Sequence, residues 1–451
     1  MSSEAPGRPG EDSSSPPQPF PAALAGEPRL ELPFHVYDAL LWAAAPLLSA
    51  AIAAAAIGDR RLGRTWKGQL GLELPGERVT LDSIWLQAAS VGETQAARPI
   101  IAALKEELPS TPIVLTGSTP EGLRLARERG GADHVATFPF DYRPILTRYF
   151  RAFEPRVCAV VETEIWPNLI RACRERGVPL VMVNGRISPR TMVRYERLAW
   201  CYRAFLAHFT AFLMQTDADA ERIVRMGADA ARVRVTGDTK YDGLLAASPP
   251  RPPDCPPGRY VVAGSTHPGE TEQLLEVYTR LRVRHAELGL VLAPRHPETA
   301  PGAIAKAQEL GLPMGLRSRG ASPAPSGVLL LDTVGELAAF YGIAAVAFVG
   351  GSLVDVGGHS LLEPAAAGKP VLYGPHVFNF DDAAELLQGA GGGIRVTDAA
   401  ALEQELDRLL AAPELAAGLG AAAKGALLSR AGAAKRIADY LRELMSAPAT
   451  R

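Results

Sequence analysis

The sequence predicts two α/β domains, each built around a doubly wound parallel sheet. Short apolar segments alternate with helix-like segments from residue 83 to residue 373, as expected for parallel strands joined by helices. The alternation is interrupted at residues 248–258 (SPPRPPDCPPG), where the prolines exclude a regular helix or a central strand. A chain of 451 residues is also too long for one hydrophobic core. We therefore predict two Rossmann-like domains that bind their ligand in the cleft between them.

Composition divides the chain into six segments. Residues 1–32 are rich in Pro, Ser and Gly and lack an apolar period, which predicts a disordered tail. The remaining predicted segments are a membrane-anchor helix (33–59), an N-terminal Rossmann-like acceptor domain (60–247), a Pro-rich linker (248–258), a C-terminal Rossmann-like donor domain (259–428), and a C-terminal helix with a tail (429–451).

The predicted anchor contains a stretch, Ala39 to Gly58, without any charged residue. That length suits a helix that spans a bilayer, although Pro46 interrupts it. Four basic residues follow and would hold this end on the cytoplasmic side: Arg60, Arg61, Arg64 and Lys67. A membrane anchor or interfacial helix is the preferred interpretation. A buried Ala-rich core helix and a secretory signal are the alternatives, although the preceding segment lacks the basic start of a signal peptide.

Composition and short motifs exclude several classes of protein. A net charge of -2 argues against a nucleic-acid-binding protein, which needs a basic face. The four cysteines show no CxxC pairing, which indicates reduced thiols in a reducing compartment. There is no GxxxxGK[ST] loop and no GxSxG elbow. Asp217 and Asp219 have the DxD spacing of metal-binding glycosyltransferases, but they follow Thr216 at a predicted helix start. We expect no metal site and no cofactor.

A glycine-rich stretch near the C-terminus carries the strongest local signal. An apolar strand, Ala344 to Val349, ends at a glycine pair, and a second pair precedes His359 and Ser360. Glu363 then lies in the first turn of a predicted helix. Backbone N–H groups and a helix dipole at such a turn form a site for an anion, here at the carboxyl end of a parallel strand.

Carboxylates follow two predicted strands of the N-terminal domain. Glu93 lies three residues after Ser90, so it is a candidate general base but also a candidate capping-box residue. Glu162 and Glu164 follow the strand that ends at Val161. Glu164 has an alternative role as a cap of the helix predicted to start near Pro167, whereas Glu162 has none.

Arg186 and Arg295 follow other predicted strands, and Lys240 lies just before the predicted linker. Arg186, Lys240 and Arg295 are each placed where they could neutralise a phosphate or developing negative charge. For Arg186 and Lys240, a solvated surface position is an equally simple interpretation. Glu336 lies at a helix start where backbone N–H groups could hold a nucleotide, or it is an ordinary first-turn acid.

Taken together, these segments resemble the 3-deoxy-D-manno-octulosonic acid (Kdo) transferases of lipopolysaccharide synthesis, from about residue 60 to about residue 440. The resemblance rests on eight separated motifs in the same order: LQAASVGET (86–94), VETEIWPNLI (161–170), NGRIS (184–188), GDTKYD (237–242), GSTHPGE (264–270), APRHPE (293–298), DTVGEL (332–337) and GGHSLLEPAAAGKPVLYGPHVFNF (357–380).

The resemblance implies a GT-B fold with the active site in the interdomain cleft, and an N-terminal anchor at the inner membrane. It also implies transfer of Kdo from CMP-Kdo to a lipid A precursor (lipid IVA) on the cytoplasmic side, with release of CMP. By position, Glu93 corresponds to the general base, and Glu162 and Lys240 to residues that stabilise the transition state. The implied CMP-binding residues are Pro294, Arg295, Val334, Gly335, Glu336, Ser360, Leu361, Leu362 and Glu363.

The sequence departs from the family pattern at three positions. Gln87 stands where members commonly have His, Ser360 where an Asn is often found, and Asp238 where a neutral residue is usual. None of these changes removes a proposed catalytic group, but Gln87 bears on the positioning of the acceptor. Two rival functions are another GT-B transferase that uses a UDP-sugar, and a non-catalytic membrane-bound nucleotide-sugar-binding protein. A sensor would need no base, so the combination of Glu93, Glu162 and Lys240 argues against it.

Overall fold

The computed structural model describes residues 31–44, 66–74, 82–247, 252 and 255–447. The chain forms two compact units. The first comprises Met1–Asp242 together with Gly432–Arg451, and the second comprises Gly243–Ala431. Most of the predicted linker and residues 1–30 of the predicted tail lie outside the described residues.

The first unit contains a seven-stranded, entirely parallel sheet with the strand order β3-β2-β1-β4-β5-β6-β7. Its strands are β1 (Ser83–Gln87), β2 (Ile113–Gly117), β3 (His134–Thr137), β4 (Pro155–Val161), β5 (Leu180–Gly185), β6 (Ala211–Met214) and β7 (Val233–Val235). The central strands are continuous apolar segments because helices cover both faces of the sheet. The strand order reverses between β1 and β4, which is where parallel sheets bind ligands.

Helices precede, connect and follow these strands. They are α1 (described over 31–44), α2 (Trp66–Gln69), α3 (Val91–Glu107), α4 (Pro120–Arg129), α5 (Arg143–Phe153), α6 (Pro167–Glu175), α7 (Pro189–Arg197), α8 (Ala199–Leu206), α9 (Asp217–Arg225) and α10 (Thr239–Ala246). The Thr216 side chain accepts the N–H of Asp219 at the start of α9, and Asp219 in turn accepts the N–H of Ile187 at 2.8 Å. Thr216 is therefore the N-cap, and the DxD pair lies in the first turn of the helix that the sequence predicted.

The second unit repeats this architecture with a second seven-stranded parallel sheet, in the order β10-β11-β9-β8-β12-β13-β14. Its strands are β8 (Arg259–Thr266), β9 (Leu288–Pro294), β10 (Met314–Leu316), β11 (Val328–Leu330), β12 (Ala344–Val349), β13 (Val371–Tyr373) and β14 (Gly393–Arg395). Here the order reverses between β8 and β12. The prediction of two α/β units with parallel sheets is confirmed.

The helices of the second unit include short elements near the strand ends. They are α11 (Glu270–Arg284), α12 (Ala300–Glu309), α13 (Leu337–Tyr341), α14 (Leu362–Ala366), α15 (Asp381–Gly389), α16 (Ala399–Ala411) and α17 (Pro413–Leu428). The structure begins α14 at Leu362, so Glu363 lies in its first turn as predicted.

The last helix, α18 (Ala433–Ser446), returns to the first unit. It packs on α3, and its buried residues Ile437 and Leu441 join the apolar cluster on one face of the first sheet. Asp242 accepts the N–H of Gly432 at 2.7 Å, which fixes the chain where it re-enters this unit. The C-terminal segment therefore contributes to the core of a domain that is far away in sequence.

The helix α1 packs against the first unit through one face. Phe34 is 1% exposed and contacts the ring of Phe205, and Asp38 accepts a hydrogen bond from Arg171 at 2.5 Å. Among the described residues, no helix is both long and apolar enough to cross a membrane. Residues 45–59 of the predicted anchor lie outside the described residues.

Candidate active site

Glu93 lies at the switch point of the first sheet, in the first turn of α3 and directly after β1. Its carboxylate accepts the backbone N–H of Ala89 at 2.5 Å through Oε2 and the hydroxyl of Ser90 at 3.0 Å through Oε1. Ser90 in return accepts the N–H of Glu93 at 3.2 Å. The capping box that the sequence allowed is therefore present, and the same side chain stays partly exposed at the sheet edge.

Glu162 follows β4 on the other side of the same switch point. Its backbone has a left-handed conformation (φ 59°), which is unusual for a residue with a side chain and turns the chain sharply away from the strand. Burial raises the pKa of Glu162, and the charges of Glu93 and Asp238 raise it further, whereas Arg186 lowers it. Glu93 and Glu162 are thus close enough for their charges to interact.

Glu164 is a third carboxylate of this edge. Its Oε2 accepts the indole N–H of Trp166 at 2.6 Å. Burial, together with the charge of Glu93, raises the pKa of Glu164 to about 7. The alternative interpretation of Glu164 as a helix cap is wrong, because α6 is capped by Asp141, which accepts the N–H groups of Asn168 (2.9 Å) and Leu169 (2.8 Å).

Lys240 lies at the start of α10, on a segment that is tied to the same edge. The N–H of Thr239 donates to Asn184 at 3.0 Å, and the Thr239 hydroxyl donates to the carbonyl of Ala96 in α3. Lys240 forms an ion pair with Asp238 at 3.0 Å, and its side chain is 52% exposed. Asp238, which departs from the family pattern, is therefore a direct ion-pair partner of Lys240. A substrate that binds Lys240 would have to compete with Asp238.

Gln87 occupies the last position of β1 but is buried rather than presented to a ligand. Its Oε1 accepts the Thr116 hydroxyl at 2.6 Å, and Thr116 also accepts the indole N–H of Trp85 at 2.8 Å. The Nε2 of Gln87 has no hydrogen-bond partner among the described residues. In this structure Gln87 belongs to the interior network of the sheet.

In the second unit, the loops at the switch point are held together by Glu270. This carboxylate is fully buried and accepts four backbone N–H groups, those of His267, Gly351, Ser352 and Leu353. It joins the loop after β8 to the loop after β12. Four donors around one buried carboxylate satisfy its charge without a basic side chain.

Two histidines meet above this junction. Their Nε2 atoms, on His267 and His359, are 2.8 Å apart, and the rings stack with an interplanar angle of 6°. Burial lowers the pKa of His267. Burial and the neighbouring His267 also lower the pKa of His359, to about 4. His296 contacts His267 edge to face at 5.7 Å.

The predicted CMP-binding residues lie in three loops of this unit. Pro294 ends β9, and the exposed Arg295 follows it. The backbone N–H of Arg295 donates to the carbonyl of Thr266 at 2.9 Å. Val334 is 88% exposed next to Gly335, which has a left-handed φ of 92°. The exposed side chain of Arg295 and this open turn are suited to an anion or a nucleotide.

Glu336 is the one predicted binding residue whose carboxylate is already engaged. Arg317 donates to it at 2.8 and 3.0 Å, and Thr333 donates through its hydroxyl. The hydrogen bonds from Arg317 and Thr333 lower the pKa of Glu336. Its role in this structure is to hold the turn that carries Val334 and Gly335.

The loop before α14 carries the remaining predicted residues. The side chains of Leu361 and Leu362 are buried in the protein, so only their backbone groups could contact a ligand. Ser360 and Glu363 are half-buried, and burial raises the pKa of Glu363. Among the described residues, none forms a hydrogen bond or an ion pair with the Glu363 carboxylate. Its two oxygens are therefore suited to accept hydroxyl groups of a ligand.

No group of three or more potential metal ligands occurs among the described residues.

Comparisons with known proteins identify the family of the chain. Residues 59–243 match a family model described as 3-deoxy-D-manno-octulosonic-acid transferase (kdotransferase). The chain is 36% identical over 407 residues to the 3-deoxy-D-manno-octulosonic acid transferase of Bordetella pertussis, covering 85% of this chain and 94% of that protein. The chain belongs to the Kdo transferase family. The transferase of Haemophilus influenzae is 32% identical over 416 residues, covering 90% of this chain and 97% of that protein.

Solved structures extend this likeness to the fold of the Kdo transferase chain. The UDP-GlcNAc 2-epimerase of Neisseria meningitidis, bound to UDP-GlcNAc, superposes with a TM-score of 0.55 at 15% identity, covering 80% of this chain and 99% of that one. That likeness shows the fold, two parallel-sheet α/β domains of the GT-B type. The C-terminal CMP-Kdo binding domain of WaaA from Acinetobacter baumannii is 29% identical over 90% of its length and 42% of this chain, with a TM-score of 0.32.

Two features of this Kdo transferase were not predicted from its sequence. Glu270 follows Gly269 at a helix start, where an acid is normally an exposed first-turn residue, so its burial gave no signal. The contact between His267 and His359 joins residues 92 positions apart. Only the pairing of β8 with β12 brings their loops together.

Proposed function

We propose that this protein transfers Kdo from CMP-Kdo to a lipid A precursor (lipid IVA) and releases CMP. The observation that carries the proposal is the similarity of the chain to Kdo transferases over most of its length, combined with the electrostatic interaction of Glu93 and Glu162 at the switch point of the first sheet. A nucleotide-binding protein without catalytic activity would have no use for a base at this position. The carboxylates favour an acceptor whose hydroxyl group must lose a proton.

In the acceptor half of the reaction, Glu93 takes the proton from the sugar hydroxyl as that oxygen attacks the anomeric carbon of Kdo. The C–O bond to the phosphate of CMP breaks in the same displacement, and its electron pair leaves with CMP. Glu162, turned out of the strand by its left-handed backbone, supports the charge that develops on the sugar. Lys240, once it exchanges Asp238 for the substrate, stabilises the leaving phosphate.

In the donor half, the second unit binds the CMP group. Arg295 provides a guanidinium fork for the phosphate, and Glu363 accepts hydroxyl groups of the ribose. Backbone groups of two loops would hold the rest of the nucleotide: Val334, Gly335 and Glu336 in one, and Ser360, Leu361 and Leu362 in the other. Backbone groups in these loops and the charges of Arg295 and Glu363 are suited to a nucleoside monophosphate, which supports the assignment of this unit to CMP binding.

We also propose that the protein acts at the cytoplasmic side of the inner membrane. Four apolar side chains of α1 are exposed, namely Leu32, Val36, Leu40 and Trp42. The first three are spaced by four residues and so form one stripe along the helix. A helix with such a stripe, attached to the folded unit by Phe34, suits the surface of a bilayer.

Vesicle flotation tests the membrane proposal. Wild-type protein should float with vesicles that contain phosphatidylglycerol, and Leu40→Asp should weaken this binding because a charge replaces an exposed apolar group. Val283→Asp is the matched control, since Val283 is also an exposed apolar residue (82%) but lies on α11 of the second unit. Equal flotation of Leu40→Asp and wild type would contradict the role of α1.

The transfer reaction is tested by incubating the full-length protein with CMP-Kdo and a tetraacylated lipid A precursor. Mass analysis should show the lipid with added Kdo, and CMP should be released in the same amount. CMP should inhibit this reaction more strongly than UDP. Stronger inhibition by UDP, or transfer from a UDP-sugar, would instead support another nucleotide-sugar transferase.

A further inference from the structure

The proposed base, Glu93, has both carboxylate oxygens in use. Oε2 accepts the N–H of Ala89 and Oε1 accepts the hydroxyl of Ser90, both as part of the cap of α3. A proton that arrives on this carboxylate competes with these hydrogen bonds, because a protonated oxygen no longer accepts as strongly. A second group that removes the proton would restore the cap.

Glu164, a neighbouring carboxylate that feels the charge of Glu93, is held through only one of its two oxygens. Its Oε2 accepts the indole N–H of Trp166, while no described residue donates a hydrogen bond to its Oε1. Trp166 is fixed in turn, because its ring packs on Phe138 with centroids 5.2 Å apart. Asp141 holds the start of α6 immediately after Trp166. One oxygen of Glu164 is thus held in place and the other is left for a proton.

The charges around Glu164 favour a proton on this side chain. Glu93 from α3 and Glu162 from the end of β4 both act on Glu164 as like charges. Arg186 and Asp238, from the loops after β5 and β7, act on Glu162 in opposite directions. Burial and these carboxylates raise the pKa of Glu164 to about 7, so the group can gain and lose a proton at neutral pH.

We propose that Glu164 is a second catalytic carboxylate, which takes over at Oε1 the proton that Glu93 removes from the acceptor hydroxyl. The proposal rests on the proposed transferase function. The hydroxyl O–H bond breaks, the oxygen bonds to the anomeric carbon, and CMP leaves with the electrons of its C–O bond. The proton passes from Glu93 to Glu164 and then to solvent, which returns both groups to the ionised form for the next turnover.

The test is the pH dependence of kcat in the transfer assay with CMP-Kdo and the lipid precursor. Glu164→Gln should lower kcat by about 10²-fold and remove the acid limb near pH 7, because the amide cannot take a proton. Trp166→Phe should keep the ring contact with Phe138 but lose the donor to Oε2, so the pKa of Glu164 should rise. The acid limb should then move to higher pH.

Trp200→Phe is the matched control, because Trp200 is 52% exposed on α8 and lies outside the site. The pH profile of this variant should equal that of wild type. The proposal is overturned if Glu164→Gln keeps the kcat and acid limb of wild type. It is also overturned if Trp166→Phe leaves the acid limb unmoved, a result that decides the matter even when Glu164→Gln fails to fold. If wild type itself transfers no Kdo, the proposed function fails and this inference falls with it.

Discussion

The carboxylate of Glu270 accepts the backbone N–H of Gly351 at 2.6 Å, across 81 residues of sequence. This bond, with those from Ser352 and Leu353, sets the position of the loop after β12 relative to the loop after β8. Buried backbone N–H groups need a hydrogen-bond acceptor, and the Glu270 carboxylate is the acceptor for these three. The geometry of the proposed donor site therefore depends on a residue that does not need to touch the donor.

Glu270→Gln should weaken donor binding without removing any ligand-contacting group. The glutamine side chain has one oxygen that can accept hydrogen bonds where Glu270 has two. Its NH2 group would face backbone N–H groups that now donate to Glu270, and two donors cannot bond to each other. We expect a loss of stability of about 3 kcal/mol or more, because buried donors lose a charged partner. The KM for CMP-Kdo should rise more than the KM for the lipid acceptor. Unfolding in denaturant and steady-state kinetics measure the two effects.

Glu272→Gln is the control for that prediction. Glu272 is in the same first turn of α11 and accepts the N–H of Gly269 at 2.6 Å, but this contact is exposed. The amide oxygen can still accept that bond, so stability and the KM for CMP-Kdo should change little. A similar rise of KM in both variants would argue against a positioning role for Glu270.

Substitutions at Glu93 should separate catalysis from helix capping. Glu93→Ala should abolish transfer and leave CMP binding intact, because the proposed base lies in the other unit from the CMP loops. It should also destabilise the protein by about 1 kcal/mol, since it breaks the capping box. Ser90→Ala removes the cap hydroxyl but keeps the carboxylate. Ser90→Ala should lose a similar amount of stability but retain measurable transfer. If Ser90→Ala loses as much transfer as Glu93→Ala, the loss of activity comes from the disrupted helix start and not from the missing base.

Stability should depend on pH through Glu164. The folded-state pKa of about 7 lies above the ordinary value of 4.5, so the folded state binds this proton more tightly than the unfolded state. Its contribution to stability is complete below about pH 4.5 and is lost as the pH rises through 7. Relative to wild type, Glu164→Gln should therefore become more stable as the pH is raised from 5 to 8. Denaturant titrations at several pH values measure this.

Glu106→Gln is the matched substitution for that series, because Glu106 is an exposed residue of α3 in the same unit. Its difference from wild type should stay nearly constant over the same pH range. A flat difference for Glu164→Gln as well would mean that its carboxylate is not buried as the structure has it.

Removal of the Phe34 ring should release α1 from the first unit. Phe34 is buried against Phe205 and His208, with the guanidinium group of Arg171 over its ring at 5.0 Å. We expect Phe34→Ala to cost about 3 kcal/mol, typical of a buried aromatic residue. Hydrogen exchange of residues 31–44 should accelerate. Leu40→Ala, at an exposed position of the same helix, should leave this exchange unchanged.

Gly374 should tolerate no side chain, because a Cβ atom there would lie 2.2 Å from the carbonyl oxygen of Ser352. Gly374→Ala should therefore displace the loop that Glu270 also holds, and lower both stability and CMP affinity. Gly418 lies inside α17, and apart from the helix's own backbone no atom lies within 4 Å of such a Cβ. Gly418→Ala should stabilise the protein by about 0.5–1 kcal/mol through helix propensity. Thermal unfolding with and without CMP compares the two.

Much of the fold was predictable because it follows from local patterns. The strand Ala344–Val349 is observed as predicted, β4 ends at Val161 as predicted, and α6 begins at Pro167, where a helix start was predicted. Proline and glycine mark these boundaries, and continuous apolar residues mark the buried strands. The return of α18 to the first unit had no such signal, because an amphipathic helix does not specify which core it joins.

The same division applies to the site. Sequence alone determined that acidic residues follow β1 and β4 and that a glycine-rich turn follows β12, since these features depend only on neighbours in the chain. Tertiary structure decided that Glu93 and Glu162 come within electrostatic reach, and that burial raises the pKa of Glu164 to about 7. It also decided that Glu270 is enclosed by four N–H groups. Burial and electrostatic coupling are set by distances between segments far apart in sequence, which no local pattern records.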